Sequence, residues 1–338
     1  MLDGGRYVLG PEVEEFEREF SRYVGVRECV GVANGTEAIT IALRALGVGE
    51  GDEVVVPSFT FYASVEAIPP TGAQPVLCDV DPVTFCATAD TVRAALTPRT
   101  KAVIAVHLFG NVAPVAQIAA LGVPVLEDAA QAAGSLGPEG RPGALGAVAT
   151  FSFYPSKNLG AFGDGGAIVT GDADLAERVR VLRFHGSRDK LSYEEVGYNS
   201  RLDELQAALL RVQLPHLDAW ADARRAAAAA YADEGLGDFV ALPQATDGAR
   251  PAWHLYVVRD DDPDALAAAL AERGIEARGY YRTPVHRQPV AARLPAPPGP
   301  LPGTDEAART HLALPMGAAL KRAQIAEVVT AVRAAKTA

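Results

Sequence analysis

The chain has 338 residues, of which 49% are hydrophobic and 22% are charged. A chain of this length can bury a large core and is expected to form roughly two domains. Its 31 Lys and Arg against 42 Asp and Glu give a net charge of -11, which disfavours sequence-independent nucleic-acid binding. The 3 cysteines form no Cys-x-x-Cys pair, so buried thiols are favoured over a disulfide framework or a zinc site.

No targeting or membrane segment is predicted. The N-terminal residues lack the basic and apolar stretches of a signal peptide. No apolar run approaches the ~20 residues that a transmembrane helix needs. These features predict a cytoplasmic protein without a membrane partner.

The first half of the chain alternates between strand and helix patterns. Val13, Phe16 and Phe20 recur at helical spacing and predict an opening amphipathic helix. Strands are then predicted at residues 29–33, 53–56, 75–78, 102–106 and 123–126, and helices at residues 37–46, 62–68, 89–96 and 115–121. This alternation predicts an α/β fold with a mostly parallel sheet covered on both faces. Ligands of such sheets bind beyond the carboxyl ends of the strands.

The first strand-to-helix turn is Asn34-Gly35-Thr36. Free backbone N–H groups and the positive end of the following helix suit a phosphate. The same residues could serve only as a helix cap, since Asn and Thr are good N-cap residues. Both interpretations stay open at this point.

Two polar residues follow later strands. Asp128 comes after the apolar run at residues 123–126 and precedes Ala129-Ala130-Gln131, so its carboxylate needs a cationic partner. A salt bridge or a helix N-cap is the structural alternative. His107 also follows a strand, but a single histidine there is more typical of a satisfied core or loop residue.

Lys157 lies in an aromatic, small-residue segment, FSFYPSKNLG at residues 151–160, which a glycine-rich stretch follows. Among apolar groups a lysine loses hydration of its charged form, its pKa falls, and the free amine becomes a nucleophile toward carbonyls. Lys157 is therefore a candidate for a Schiff base. Considered alone, a lysine beside glycines is more often a solvated turn residue.

The remaining pattern predicts a second, smaller unit. A strand at residues 167–170 and a helix at 174–183 precede a long helix from residue 197 to 233, interrupted at Pro215. The predicted domains are a large one at residues 1–233 and an α+β domain at residues 234–338. Strands 253–258 and 275–278 and helices 264–273 and 322–335 are predicted in the smaller domain. Its cluster of Tyr281, Arg282 and His286 suits an anionic or sugar ligand, or forms a solvated loop.

These signals together match the requirements of pyridoxal 5'-phosphate. They are a reactive lysine, a phosphate-binding turn, an aromatic at Phe61 and an acid for a cationic ring nitrogen. Five blocks also resemble the DegT/DnrJ/EryC1/StrS family of sugar aminotransferases, which are fold-type-I enzymes of the aspartate aminotransferase superfamily. These blocks are residues 34–38, 57–61, 127–131, 151–160 and 199–204.

The resemblance implies a role for each matching residue. Lys157 would form the Schiff base with pyridoxal 5'-phosphate and shuttle the proton, and Asp128 would pair with the ring nitrogen. The other implied cofactor contacts are Phe61 stacking on the ring, Gln131 on the ring-hydroxyl side, Gly35, Thr36 and Ser152 at the phosphate, and Asn199 reaching the phosphate from the neighbouring subunit. Active sites of this family lie at a dimer interface, so a homodimer is implied as well.

The implied reaction is transfer of an amino group from L-glutamate or glutamine to a keto-sugar, usually linked to a nucleoside diphosphate. Tyr281, Arg282 and His286 are the candidates for sugar-nucleotide contacts. One alternative is a cyclitol aminotransferase that acts on a keto-inositol derivative, and another is a non-catalytic regulatory protein on the same fold. Relatives that dehydrate sugars carry histidine at the position of Lys157, so this lysine argues against that chemistry.

Overall fold

The predicted alternation of strands and helices is present in the computed structural model, which describes residues 4–337. The helices are α1 Pro11–Val24, α2 Gly35–Ala45, α3 Ala63–Glu66, α4 Ala89–Arg93, α5 Val115–Ala119, α6 Ala173–Arg183, α7 Glu204–Gln213, α8 Leu217–Asp233, α9 Pro263–Ala271, α10 Pro302–Thr310 and α11 Arg322–Thr337. The strands are β1 Glu28–Val32, β2 Glu53–Pro57, β3 Gln74–Cys78, β4 Thr100–Val106, β5 Val125–Asp128, β6 Val148–Ser152, β7 Gly166–Thr170, β8 Tyr256–Arg259 and β9 His311–Leu314.

Seven strands form one mostly parallel sheet in the order β1-β7-β6-β5-β4-β2-β3. Strand β7 runs antiparallel to both of its neighbours, and the other adjacent pairs are parallel. Strand β2 is buried along its whole length, as expected for a strand covered on both faces. The predicted fold class is confirmed, and the carboxyl ends of β2, β4, β5 and β6 meet at one edge.

Helix α1 fixes the position of β6. Phe20 packs edge-on against Phe151 and Phe153, with ring centroids 4.9 and 5.5 Å apart. The carboxylate of buried Glu204 accepts hydrogen bonds from the backbone N–H groups of Gly10, Glu12 and Val13. These donors have no partner within the helix, so Glu204 satisfies the start of α1 and holds it against the sheet.

The second unit contains an antiparallel pair, β8 and β9. Its apolar cluster joins the end of α8 to α9, α11 and both strands. Tyr231 of α8 is buried there and stacks on Tyr256, with ring centroids 4.8 Å apart. Helix α8 therefore contributes to this cluster although it precedes residue 234, and the boundary at 233/234 stays a prediction.

Several element predictions were wrong, because partners distant in sequence override the local pattern. Residues 148–152 were not predicted as a strand, yet β5 and β7 pair with both edges of β6. Residues 197–203 were predicted helical, but isolated bridges to Phe184 and Val8 keep them extended. Residues 275–278 form no strand, and Arg278 makes one bridge to Ala313. Strand β9 and helix α10 were not predicted.

Membrane-spanning helices and metal sites are both absent from the part of the chain that the structure describes. Within residues 4–337, no helix is long and apolar enough to cross a membrane. The same part of the chain contains no group of His, Cys, Asp and Glu side chains that could hold a metal ion. The cysteines are buried and unpaired, as predicted.

Candidate active site

A cavity of about 1020 Å³ lies at the carboxyl edge of the large sheet. Eight of the predicted site residues line it: Gly35, Thr36, Phe61, Asp128, Gln131, Ser152, Lys157 and Tyr281. They lie at the ends of β5 and β6, in the segments that follow β1, β2, β5 and β6, and in the second unit. The fold thus brings together residues that are more than two hundred positions apart in sequence.

The turn between β1 and α2 forms one wall of this cavity. Asn34 caps α2, since its Oδ1 accepts a hydrogen bond of 2.9 Å from the Glu37 N–H. The N–H groups of Gly35 and Thr36 have no acceptor among residues 4–337. A Cβ on Gly35 would lie 2.8 Å from the Ser152 Cβ, so only glycine lets the turn approach β6 this closely. The turn can cap α2 and also bind a phosphate, because the Asn34 side chain forms the cap and the N–H groups of Gly35 and Thr36 are left for the phosphate.

Asp128 ends β5 and is only 6% exposed. Its Oδ2 accepts a hydrogen bond of 2.7 Å from the Ser64 hydroxyl, and its Oδ1 accepts one of 3.2 Å from the Ala130 N–H. No cation within residues 4–337 forms an ion pair with it. A buried carboxylate with two neutral donors can still accept a hydrogen bond from a cationic group in the cavity.

Lys157 is half-buried in the same cavity. Burial lowers the pKa of its amine, and the nearby charge of Asp128 acts in the opposite direction. Its backbone is held in a tight turn, where Lys157 N–H donates to the Tyr154 carbonyl at 2.8 Å. The adjacent Asn158 amide donates to the carbonyls of Ala133 and Ala252 at 3.2 and 3.3 Å. The lysine is therefore carried by a loop anchored on both sides.

Gln131 links the sheet edge to the second unit. Its Oε1 accepts a hydrogen bond from the Phe109 N–H at 2.7 Å, and its Nε2 donates to the Tyr281 hydroxyl at 3.2 Å. The Tyr281 ring stacks on Phe109, with centroids 5.8 Å apart. Burial raises the pKa of Tyr281 to about 12, so this hydroxyl stays protonated at neutral pH.

Three predicted site residues do not line the cavity. Arg282 pairs with Asp264, with 3.0 Å between Nη2 and Oδ1. His286 contacts the Ser58 hydroxyl at 2.8 Å, and its Nε2 lies 3.2 Å from an Asp305 oxygen. Asn199 is exposed and pairs through its backbone with Phe184. The first two are engaged within the subunit, and the role predicted for Asn199 concerns a neighbouring subunit.

Sequence reasoning missed three residues of this site. Ser64, which donates a hydrogen bond to Asp128, lies in the short helix α3 and carries no distinctive sequence signal. Arg224 lines the cavity from α8, whose alanine-rich sequence predicts a helix but not which of its side chains face a ligand. His254 also lines it but lies inside a predicted strand. Burial, followed by the charges of Lys157 and Arg224, lowers the pKa of His254 well below its usual value.

The chain matches the model of the DegT/DnrJ/EryC1/StrS aminotransferase family over residues 1–333. The protein belongs to this family. Members of the family depend on pyridoxal 5'-phosphate. The residues present suit that cofactor, since the cavity offers free N–H groups at a helix start, an unpaired buried carboxylate and a lysine of lowered pKa.

Named relatives cover nearly the whole chain. It is 48% identical to the dTDP-3-amino-3,4,6-trideoxy-alpha-D-glucose transaminase of Streptomyces venezuelae, over 98% of this chain and 89% of that protein. It is 46% identical to the pleiotropic regulatory protein of Geobacillus stearothermophilus, over 97% of this chain and 90% of that protein. The crystal structure of S. venezuelae DesV in complex with a ketimine intermediate matches with a TM-score of 0.94 and 48% identity, over 98% and 91% of the two chains.

Proposed function

We propose that this family member is a pyridoxal-phosphate-dependent aminotransferase that moves an amino group from L-glutamate or L-glutamine to a keto-sugar linked to a nucleoside diphosphate. The observation that carries the proposal is the common cavity of Lys157 and Asp128 beside the turn at Gly35 and Thr36. The S. venezuelae transaminase supports the choice of a nucleotide sugar, because it shares 48% of its aligned residues with this chain.

Each wall of the cavity would hold a different part of the cofactor. The N–H groups of Gly35 and Thr36 and the Ser152 hydroxyl would bind the phosphate at the start of α2. Asp128 would accept a hydrogen bond from the protonated ring nitrogen. Phe61 would stack on the ring, and Gln131 would contact the side that carries the ring hydroxyl. When bound, the cofactor supplies an electron sink for charge that develops on the substrate carbon.

Lys157 would take the proton from the substrate carbon and return it. A general base needs a free amine near neutral pH, and burial lowers the pKa of Lys157 in that direction. Asp128 would keep the ring nitrogen protonated, because its carboxylate is buried and accepts hydrogen bonds from two neutral donors, Ser64 and Ala130. The backbone turn at Lys157 and the side-chain hydrogen bonds of Asn158 would hold the loop in place. The amine would therefore approach the substrate carbon from one direction.

A homodimer is part of the proposal. Two aromatic side chains that line the cavity are largely exposed in the single subunit, Phe61 at 56% and Tyr154 at 54%, and Phe162 is 75% exposed. Exposed aromatic side chains are typical of interfaces. Asn199, also exposed, would then reach the phosphate in the neighbouring subunit. A sedimentation mass of a single subunit at micromolar concentration would contradict this part.

The central test uses cofactor-loaded protein and Lys157→Ala. In the parent protein, borohydride should fix the cofactor covalently on Lys157, as peptide mass spectrometry would detect. In the variant this label should be lost, and transamination should fall on the order of 10³-fold, because the amine proposed to move the proton is removed. Lys321→Ala, which removes an exposed lysine, is the control. Absence of a label on the parent protein would end the proposal.

The two alternatives give different results in the same assays. A cyclitol aminotransferase would carry the label on Lys157 but would accept keto-inositols rather than keto-sugar nucleotides. A regulatory protein is suggested by the name of the G. stearothermophilus relative, and it would turn over neither class of acceptor. A screen of both acceptor classes after loading with L-glutamate therefore separates the three functions.

A further inference from the structure

Two adjacent arginines on α8 have opposite surroundings. Arg225 pairs with Asp222, with 2.7 Å between Nη2 and Oδ1, and donates to two backbone carbonyls. Arg224 lines the active-site cavity. Its acceptors are the backbone carbonyls of Trp253 at 3.0 Å and His254 at 3.5 Å, both from Nη1. Within residues 4–337 it forms no ion pair with a carboxylate.

A guanidinium without a carboxylate is costly in such a position. Burial lowers the pKa of Arg224, with no acid acting against it, which means that its charge is poorly solvated. Two carbonyls occupy one of its nitrogens, so Nε and Nη2 keep their hydrogen-bonding capacity. A planar fork with free donors in a cavity is suited to a carboxylate or a phosphate.

His254 connects Arg224 to the lysine. Its backbone carbonyl accepts from Arg224, its side chain lines the cavity, and its buried Nδ1 has no hydrogen-bond partner among residues 4–337. The segment is closely packed, since a Cβ on Gly110 would lie 2.7 Å from the His254 nitrogen. Asn158, adjacent to Lys157, donates to the Ala252 carbonyl in the same segment.

Arg224 therefore belongs to the side of the cavity that carries the lysine. Both positive charges, on Lys157 and Arg224, act on the one imidazole of His254. The proposed phosphate site has its own donors on a different wall, the N–H groups of Gly35 and Thr36 next to Ser152. An anion bound at Arg224 would thus lie beside the reacting amine and apart from the proposed phosphate site.

We propose that Arg224 binds a carboxylate of the amino-acid donor, an inference that rests on the proposed function. An α-amino acid that reacts beside Lys157 carries its α-carboxylate on the carbon that bears the amine, so this anion must lie close to the lysine. Arg224 supplies the unpaired positive charge there. The same interaction holds the donor in one orientation while Lys157 exchanges the proton.

The test compares Arg224→Gln with Arg225→Gln and Arg224→Lys. In cofactor-loaded protein, the apparent Kd for L-glutamate is read from the spectral change of the first half-reaction. Arg224→Gln should raise this Kd by about 10- to 100-fold, since a charged, two-point contact is lost. Arg224→Lys should recover part of the affinity, and Arg225→Gln should stay within about 3-fold.

Two further measurements locate the anion. The Kd of the cofactor for the cofactor-free protein, followed by fluorescence, should be the same in Arg224→Gln and the parent protein. Saturation by the amino-sugar nucleotide in the reverse half-reaction should be unchanged as well. A shift in either of these, or an unchanged Kd for L-glutamate, would overturn the inference. Borohydride labelling of Lys157 in the parent protein tests the proposed function separately, so the two failures are distinguishable.

Discussion

Two carboxylates end strand β5 as neighbours and have contrasting environments. Glu127 is fully buried. Its oxygens accept hydrogen bonds from the N–H groups of Gly143, Leu145 and Gly146 at 2.7 to 2.8 Å, and from His107 at 2.9 Å. Asp128 lines the cavity, and in the described part of the chain its carboxylate accepts hydrogen bonds from the Ser64 hydroxyl and the Ala130 N–H alone. Successive side chains of a strand face opposite sides of the sheet, which separates the two environments completely.

The contrast shows that two carboxylates can have different roles when the strand directs them to different surroundings. His107 Nδ1 accepts a hydrogen bond of 3.0 Å from the Ala113 N–H, so the proton of its neutral ring lies on Nε2 and is donated to Glu127. Both oxygens of Glu127 and both ring nitrogens of His107 therefore have hydrogen-bond partners within the protein. Glu127 is therefore structural, whereas Asp128 keeps acceptor capacity for a ligand.

The largest expected effect comes from Asp128→Asn. Because a neutral amide cannot hold a protonated ring nitrogen as a carboxylate does, transamination kcat/KM should fall on the order of 10²- to 10³-fold. The Asn oxygen can accept from the Ala130 N–H, and its amide nitrogen can donate to the Ser64 hydroxyl, which can turn its own proton to the Thr60 hydroxyl 3.1 Å away. The thermal midpoint of the cofactor-free protein should therefore change by no more than about 2 °C. Steady-state kinetics and calorimetry on the same preparation measure the two effects. Unchanged turnover would remove Asp128 from the chemistry.

Glu127→Gln should give the converse result. The Gln amide nitrogen would face either the Gly143 N–H and the His107 ring or the N–H groups of Leu145 and Gly146. Either orientation sets donor against donor and leaves buried polar groups unsatisfied. The free energy of unfolding should fall by about 2–4 kcal/mol, measured by urea denaturation of the cofactor-free protein. Molecules that remain folded should keep kcat/KM within about 3-fold. A loss of turnover as large as in Asp128→Asn would contradict the separation of the two strand faces.

The sequence predicted the parts of the site that depend on local pattern. Strand ends carry Asp128 and the turn at Gly35, and the short-range motif around Lys157 supports both the fold and the family. Periodicity located these residues because the ends of parallel strands meet at one edge. Phe61 and Ser152 followed from the resemblance, and both line the cavity.

Local pattern could not predict which long polar side chains face the cavity. Arg282 and His286 occur in a polar cluster, but Asp264 and Ser58 hold them elsewhere. Arg224 and Arg225 are adjacent in sequence, yet only Arg225 of the two pairs with Asp222, and the two side chains donate to different backbone carbonyls. Such assignments depend on contacts between distant elements and on the rotation of a helix about its axis, which an alanine-rich sequence does not determine.

The smallest expected effect is a shift in the titration of Lys157. It compares Asp128 and Glu127 by the effect that the charge of each has on the lysine. In cofactor-free protein, modification of Lys157 by an amine-directed reagent, followed by mass spectrometry across pH, should show a midpoint below that of exposed Lys321. The midpoint should move lower still in Asp128→Asn, because the charge that favours the ammonium is lost. Glu127→Gln should leave it in place.

The same shift has a consequence for stability. Since the pKa of Lys157 is lowered by folding, the cost of its buried ammonium is fully present below the folded-state pKa and disappears as pH rises toward the usual 10.5. In that window the unfolded chain binds more protons, so the unfolding free energy of the parent protein should rise relative to that of Lys157→Met. A difference between the two proteins that stays constant with pH would mean that Lys157 is solvated like a surface lysine.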